Sequence, residues 1–167
     1  MEVGTRKVIR LSGKAENPIG GGVYMATIDI TYPDYAVVSL AGHPESGRYF
    51  QRAKLEGQWR DWEWVNPPLY AGKEYRTIER FLGKPVYVKV FDFGVLSNNG
   101  NRSIPHGLTP TAIVSLSACS KNGKYYFPSK SSSESVDVYI NASNIQITTV
   151  GDWSNQEAYV IVKYTKD

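Results

Sequence analysis

Apolar residues along the chain alternate with polar ones or gather in short runs bounded by Gly, Pro, Asn and Ser. They almost never recur at the three- and four-residue spacing of an amphipathic helix. This period of two predicts a mainly β protein. Strands are expected over 6–12, 23–30, 35–41, 47–55 and 58–65 in the first half. In the second half they are expected over 85–93, 111–119, 124–127, 135–140, 144–150 and 157–165, with a single helical turn over 77–82.

Turn chemistry places two hairpins. Asn122-Gly123 tolerates positive φ at both central positions of a two-residue hairpin turn, and Glu56-Gly57 joins the strand ending at Leu55 to the Trp-rich one starting at Gln58. Pro67 and Pro68 cannot donate to a sheet ladder, and Gly72 follows them, so 67–74 reads as a linker. The predicted organisation is a small β domain over 1–66 and an antiparallel β-sandwich over 75–167. In the strand over 86–93, Val86, Val88 and Val90 share one face while Tyr87, Phe91 and Phe93 share the other. Both faces are apolar, so the strand must be covered twice, by a central place in a sandwich or by a neighbouring chain.

Composition narrows the classes. The 19 Lys and Arg stand against 16 Asp and Glu, a net charge of +3 divided almost evenly between the halves, which is no basic footprint for nucleic acid. No apolar run approaches membrane-spanning length, and the first residues lack the apolar core of a signal peptide, so neither membrane insertion nor general secretory export is expected. Cys119 is the single cysteine, which excludes an intrachain disulfide and a multi-cysteine zinc site; it reads as a small buried hydrophobe. Twelve Tyr and four Trp against two Met suit strands and sugar- or protein-binding surfaces.

Four pieces of sequence carry a family resemblance: Gly57-Gln58-Trp59-Arg60-Asp61-Trp62-Glu63-Trp64-Val65-Asn66-Pro67-Pro68; Glu74-Tyr75-Arg76-Thr77-Ile78-Glu79-Arg80; Gly83-Lys84-Pro85-Val86-Tyr87-Val88-Lys89; and Phe93-Gly94-Val95-Leu96 with Ile104-Pro105-His106-Gly107-Leu108. In order and spacing they resemble tail-fibre, receptor-binding proteins of phages and prophages of gut bacteria. Residues 1–66, with Gly57, Trp59 and Trp62 in a hairpin core, resemble the knob module of pyocin tail fibres. Where that family often has Leu-Pro-Asn this chain has Leu96-Ser97-Asn98, which loosens the turn. The resemblance implies a virion tail component, or a prophage-encoded one made in the bacterial cytoplasm. It further implies a homotrimer that attaches to a host-surface glycan or protein receptor, or that builds the fibre. The structural motif residues it marks are Trp59, Trp62, Trp64, Gly83, Pro85, Tyr87, Gly94, His106 and Gly107.

An enzyme is the competing class, and its parts are missing from the sequence. His43 and His106 have no metal-type spacing partner, and neither joins Cys119 in a nucleophile motif. His106, between Pro105 and Gly107, reads as a turn residue that hydrogen-bonds backbone. Glu74 with Glu79, or Asp61 with Glu63, would have to serve as the paired carboxylates of a tailspike-type glycan hydrolase, but each lies in a charged run that reads as solvated surface. Gly20-Gly21-Gly22 lacks the Lys-Ser or Lys-Thr of a phosphate loop. No cofactor and no metal is expected. Trp59, Trp62 and Trp64 invite a sugar-platform reading, but along one strand Trp62 and Trp64 would point to one face and Trp59 to the other, so at least one face is core, with Trp59 or the Trp62/Trp64 pair anchoring the first domain. Contact residues are expected where geometry exposes aromatics: Tyr125 and Tyr126 after the Asn-Gly turn, and Trp153 in its loop, with Asn122 and Asn155 beside them. These would form a glycan-contacting tip, or pack between subunits. A monomeric carbohydrate-binding module of a larger protein is the alternative reading.

Overall fold

The computed structural model describes residues 6–11, 24–42, 49–131 and 133–167, and the chain forms two compact units. The first comprises Met1–Pro68 and Tyr75–Ile78, the second Leu69–Glu74 and Glu79–Asp167. The mainly β expectation holds, and no helix occurs among the described residues.

The first unit is an antiparallel meander of β1 (Arg6–Leu11), β2 (Tyr24–Tyr32), β3 (Tyr35–Ala41) and β4 (Tyr49–Leu55). Two short strands, β5 (Gln58–Trp59) and β6 (Glu63–Trp64), both pair with β4, and Trp64 pairs in parallel with Thr77 of β7 (Glu74–Phe81). Alternation sends Ala26, Leu40 and Phe50 to one face, and the register sets these three side by side across β2, β3 and β4. Val38, Trp62 and Trp64 pack on that row, with the Trp64 ring 3.9 Å from Phe50 and 5.3 Å from Tyr75. Glu56 and Gly57 both have positive φ (53° and 78°), which gives the two-residue turn expected there.

The second unit is a sandwich of two sheets. One runs β8 (Lys84–Val95), β15 (Glu157–Thr165), β10 (Ala112–Ser120), β11 (Tyr126–Phe127), and continues past β8 to its other neighbour, β7. The other runs β12 (Ser129–Lys130), β13 (Ser135–Ile140), β14 (Asn144–Asp152), β9 (Asn98–Pro105). The facing sides supply the core, with Phe91, Phe93, Val160 and Val162 from the first sheet against Val136, Ile145 and Ile147 from the second.

Three expectations are corrected. Residues 77–82 form no helical turn: β7 carries the segment to Phe81, burying Tyr75 and Thr77 at a spacing of two, and it ends at Leu82-Gly83, both at positive φ. Residues 58–65 are two short strands, because the chain leaves the ladder over 60–62. Asn122 is not at positive φ; the hairpin closes through a four-residue loop over 121–124 in which Gly123 alone takes that conformation. The two-faced strand β8 is covered as one of the two expected ways allows: it lies inside its sheet, and Val86, Val88 and Val90 are 1, 2 and 4% exposed in a single copy. Over 69–74, Ala71 bridges Val90, the Gly72 N–H donates to the Val90 carbonyl, and Glu74 accepts from Tyr164 and Lys166.

Candidate functional site

The hairpin between β10 and β11 is fixed by side chains. Asn122 Oδ1 accepts from Ser120 Oγ at 2.6 Å and from the Lys124 N–H at 3.1 Å, while Ser120 Oγ accepts from the Tyr125 N–H at 3.0 Å. Asn122 Nδ2 donates to Gln156 Oε1 at 3.0 Å, tying the hairpin to the loop before β15. At its base the Lys121 ammonium lies 2.9 Å from Asp92 and 3.0 Å from Glu157, whose hydrogen bonds push its pKa up to about 12.

The loop after β14 is equally ordered. The Trp153 N–H donates to the Ser97 carbonyl and Leu96 donates to the Gln156 carbonyl, so the Leu96-Ser97 connection is held without the proline. Asp152 accepts from the Ser154 hydroxyl and N–H, which holds its carboxyl below the ordinary range.

These contacts sort the expected tip residues. Tyr126 is 80% exposed and Tyr125 is 40% exposed, and Asn122 and Asn155 are at the surface. Trp153 is not: it is only 7% exposed, its Nε1 donates to the Val150 carbonyl at 3.1 Å, and its ring meets the edges of Tyr125 and Phe127 at 5.4 and 5.8 Å. A loop position was expected to expose this indole, but the loop folds it under the hairpin and satisfies its single donor there. Tyr125 rests on Trp153, whereas Tyr126 is the exposed neighbour of buried Phe127 on β11, so the two tyrosines do not form one flat platform. Tyr126 is the side chain this arrangement presents.

His106 is buried; its Nδ1 accepts from the Leu108 N–H at 2.9 Å, so Nε2 carries the proton and donates to the Asn141 carbonyl at 3.0 Å. Gly107, at φ 58°, continues that turn, and Gly94, at φ 76°, donates its N–H to Asp92 Oδ1. Gly83 completes the turn before β8, and Pro85 sits half-buried on that strand. Tyr87 stacks on Tyr164 at 6.0 Å, with the Lys166 ammonium 4.3 Å from its ring. The Tyr164 hydroxyl donates to Glu74; burial and then that carboxylate push it well above its ordinary range. Burial raises the Glu74 carboxyl, but hydrogen bonds from Lys166 and Tyr164 and the charges of Lys166 and Lys89 outweigh it and leave the group below the ordinary range.

Sequence reasoning missed two features of the first unit. Because the chain leaves the sheet after Trp59, Trp59 and Trp62 do not point apart: the Arg52 guanidinium lies 4.6 Å from one ring centroid and 4.7 Å from the other. On the sheet face away from the core, Tyr32, Tyr35, Val37 and Leu55 line an open apolar pocket of 390 Å³. The signal was available in the alternation of β3 and β4, which places Tyr35, Val37 and Leu55 on the outer face.

Cys119 is a free, half-buried thiol. Among the described residues no three His, Cys, Asp or Glu stand close enough to hold a metal ion, and no helix is long and apolar enough to cross a membrane. His43 and Gly20-Gly21-Gly22 lie outside the described residues.

No protein-family model matches the sequence, nor does any curated protein. Among solved structures the chain is similar to an N-truncated R2-type pyocin tail fibre, at 8% identity and a TM-score of 0.34, over 91% of this chain and 85% of that one. It is similar to a C-terminal part of the R2 pyocin fibre of P. aeruginosa at 8% identity and a TM-score of 0.35, over 91% and 58%. For the R1 pyocin fibre of that organism the values are 11% and 0.30, over 91% and 59%.

Proposed function

We propose that the chain is a non-enzymatic module of a phage or prophage tail fibre, serving host-surface attachment or fibre architecture as part of a homotrimer. The observation that carries this reading is the hairpin: Tyr126 is 80% exposed on β11, beside a loop locked by Ser120, Asn122 and Gln156. Holding a large aromatic rigidly in solvent lowers the ordering cost of a contact. The sequence motifs support the reading from the other side, since Gly83, Tyr87, Gly94 and His106 build the sandwich behind the tip. The partner is a host-surface glycan or protein receptor, with neither nucleic acid nor membrane insertion involved, and the location is the virion tail. Three weak tips per fibre bind a surface by avidity, so one tip need not bind tightly.

A monomeric carbohydrate-binding module of a larger protein is the second reading, and the burial of Val86, Val88 and Val90 on one face of β8 and of Phe91 and Phe93 on the other within one copy favours it. Light scattering separates the two. A stable species near three times 18.7 kDa supports the fibre, whereas 18.7 kDa at every concentration moves the binding module to first place. Tyr126→Ala is expected to abolish attachment to host cells while leaving assembly intact; undiminished attachment would remove the tip from the reading.

A further inference from the structure

Arg52 lies two residues after Phe50 along β4, on the same face, and so starts out on the core-facing side of the first unit's sheet. A charge placed there ordinarily finds an acceptor. Arg52 Nε has none: it is closed off from solvent without a hydrogen-bond partner among the described residues. The two carboxylates closest in sequence along the covering loop, Asp61 and Glu63, are engaged by Arg76 at 2.7 and 3.0 Å. What holds Arg52 is aromatic, since its guanidinium lies between the indoles of Trp59 and Trp62.

The clamp has one fixed and one open jaw. Trp62 packs against the Ala26, Leu40 and Phe50 core, while Trp59 is 43% exposed. A planar fork held between two rings is already ordered, and its donors match a carboxylate or phosphate in the two-point geometry that lysine cannot reproduce. The open indole beside it offers an apolar face to the C–H surface of a pyranose. An oxyanion and an apolar ring face in one small ligand describe an acidic sugar.

We propose that Arg52, Trp59 and Trp62 form a second binding site, which takes an acidic glycan by pairing the guanidinium with a sugar carboxylate or phosphate while the ring covers Trp59. The site deepens the surface-glycan reading above and rests on it for its biological ligand. The competing account is that Arg52 merely lids a thin core.

The test is a titration of the full chain with oligogalacturonate, with the corresponding neutral galactan oligomer and with inorganic phosphate, followed by calorimetry and by tryptophan emission. The acidic oligomer is expected to shift the emission and to bind at least about tenfold more tightly than the neutral one, with affinity falling as salt rises. Arg52→Met is expected to abolish this binding with no loss of melting temperature. Arg52→Lys keeps the charge, loses the fork and is expected to weaken binding about tenfold. Displacement of the oligomer by millimolar phosphate supports a phosphorylated ligand, and displacement by galacturonate alone supports a carboxylated one. Equal affinity for acidic and neutral oligomers, or binding retained in Arg52→Met, overturns the proposal. If Arg52→Met still attaches to cells while Tyr126→Ala does not, attachment survives and the Arg52 site falls. If oligogalacturonate binding depends on Arg52 but the wild-type chain attaches to no cell, the site survives and attachment falls.

Discussion

The two units use the same strand chemistry and finish their cores differently. In the second, two sheets face each other, and thirteen buried residues among those described, from Phe91 to Tyr164, fill the space between. In the first, one sheet has no facing sheet among its described elements; Ala26, Leu40 and Phe50 are its buried cluster, closed over by Trp62 and Trp64. A small unit buries little of its surface, so each large side chain carries a greater share of the stability. The contrast explains why tryptophan is concentrated in 59–64 and why an arginine with an unpartnered Nε is tolerated there: the indoles cover the sheet and hold the cation as well.

The largest effects should come from the centres of the two cores. Phe93→Ala is expected to cost about 4 kcal/mol, read by denaturant unfolding, with hydrogen exchange opening along β8, β14 and β15. Phe50→Ala should cost about 3 kcal/mol, with exchange opening along β2 to β4 and red-shifted tryptophan emission. If Phe50→Ala behaved like a surface change instead, the idea of a thin, tryptophan-closed core would fail.

Next comes the hairpin tip, where neighbouring aromatics are set apart by burial. Trp153→Ala should cost about 3 kcal/mol, whereas Tyr126→Ala should stay within about 0.5 kcal/mol. Chemical denaturation of both variants measures the difference, and equal costs would erase the distinction between support and contact. A smaller gain is expected at Leu82, which is 89% exposed at φ 49°, a conformation that costs a branched side chain energy and returns no packing. Leu82→Asn should raise stability by about 1 kcal/mol in thermal unfolding.

The smallest effect is a pH dependence confined to the second unit. The Glu74 carboxyl is lower in the folded chain than its ordinary 4.5, so the stability it adds is full above that value and is lost as pH falls through the folded value. Glu74→Gln should flatten this part of the acid unfolding curve. An unchanged slope would mean that Lys166 and Tyr164 do not favour the ionised form.

Much of the fold was legible because alternation is direct: 35–41, 135–140 and 157–165 read as strands and are strands. β9 was not legible. Its residues are mostly polar and mostly exposed, and its place comes from backbone pairing with β14, which leaves no periodic mark on side chains. The charges of β7 masked a strand in the same way. At the sites, Tyr126 could be read from turn chemistry, but Trp153 could not, because a loop's sequence does not say whether it folds back. Arg52 resembles any solvated charge on a strand until the register shows which face it occupies and the break after Trp59 brings two indoles over it.

β15 lies in the middle of its sheet, with β8 on one side and β10 on the other. As the chain is synthesised, both outer strands emerge before the strand that joins them. Until residues 157–165 arrive, each presents an open row of backbone donors and acceptors. The sandwich therefore closes late, through pairings distant in sequence, and its folding should be slow for its size. A chain halted before residue 157 would expose two sticky edges in a crowded cell.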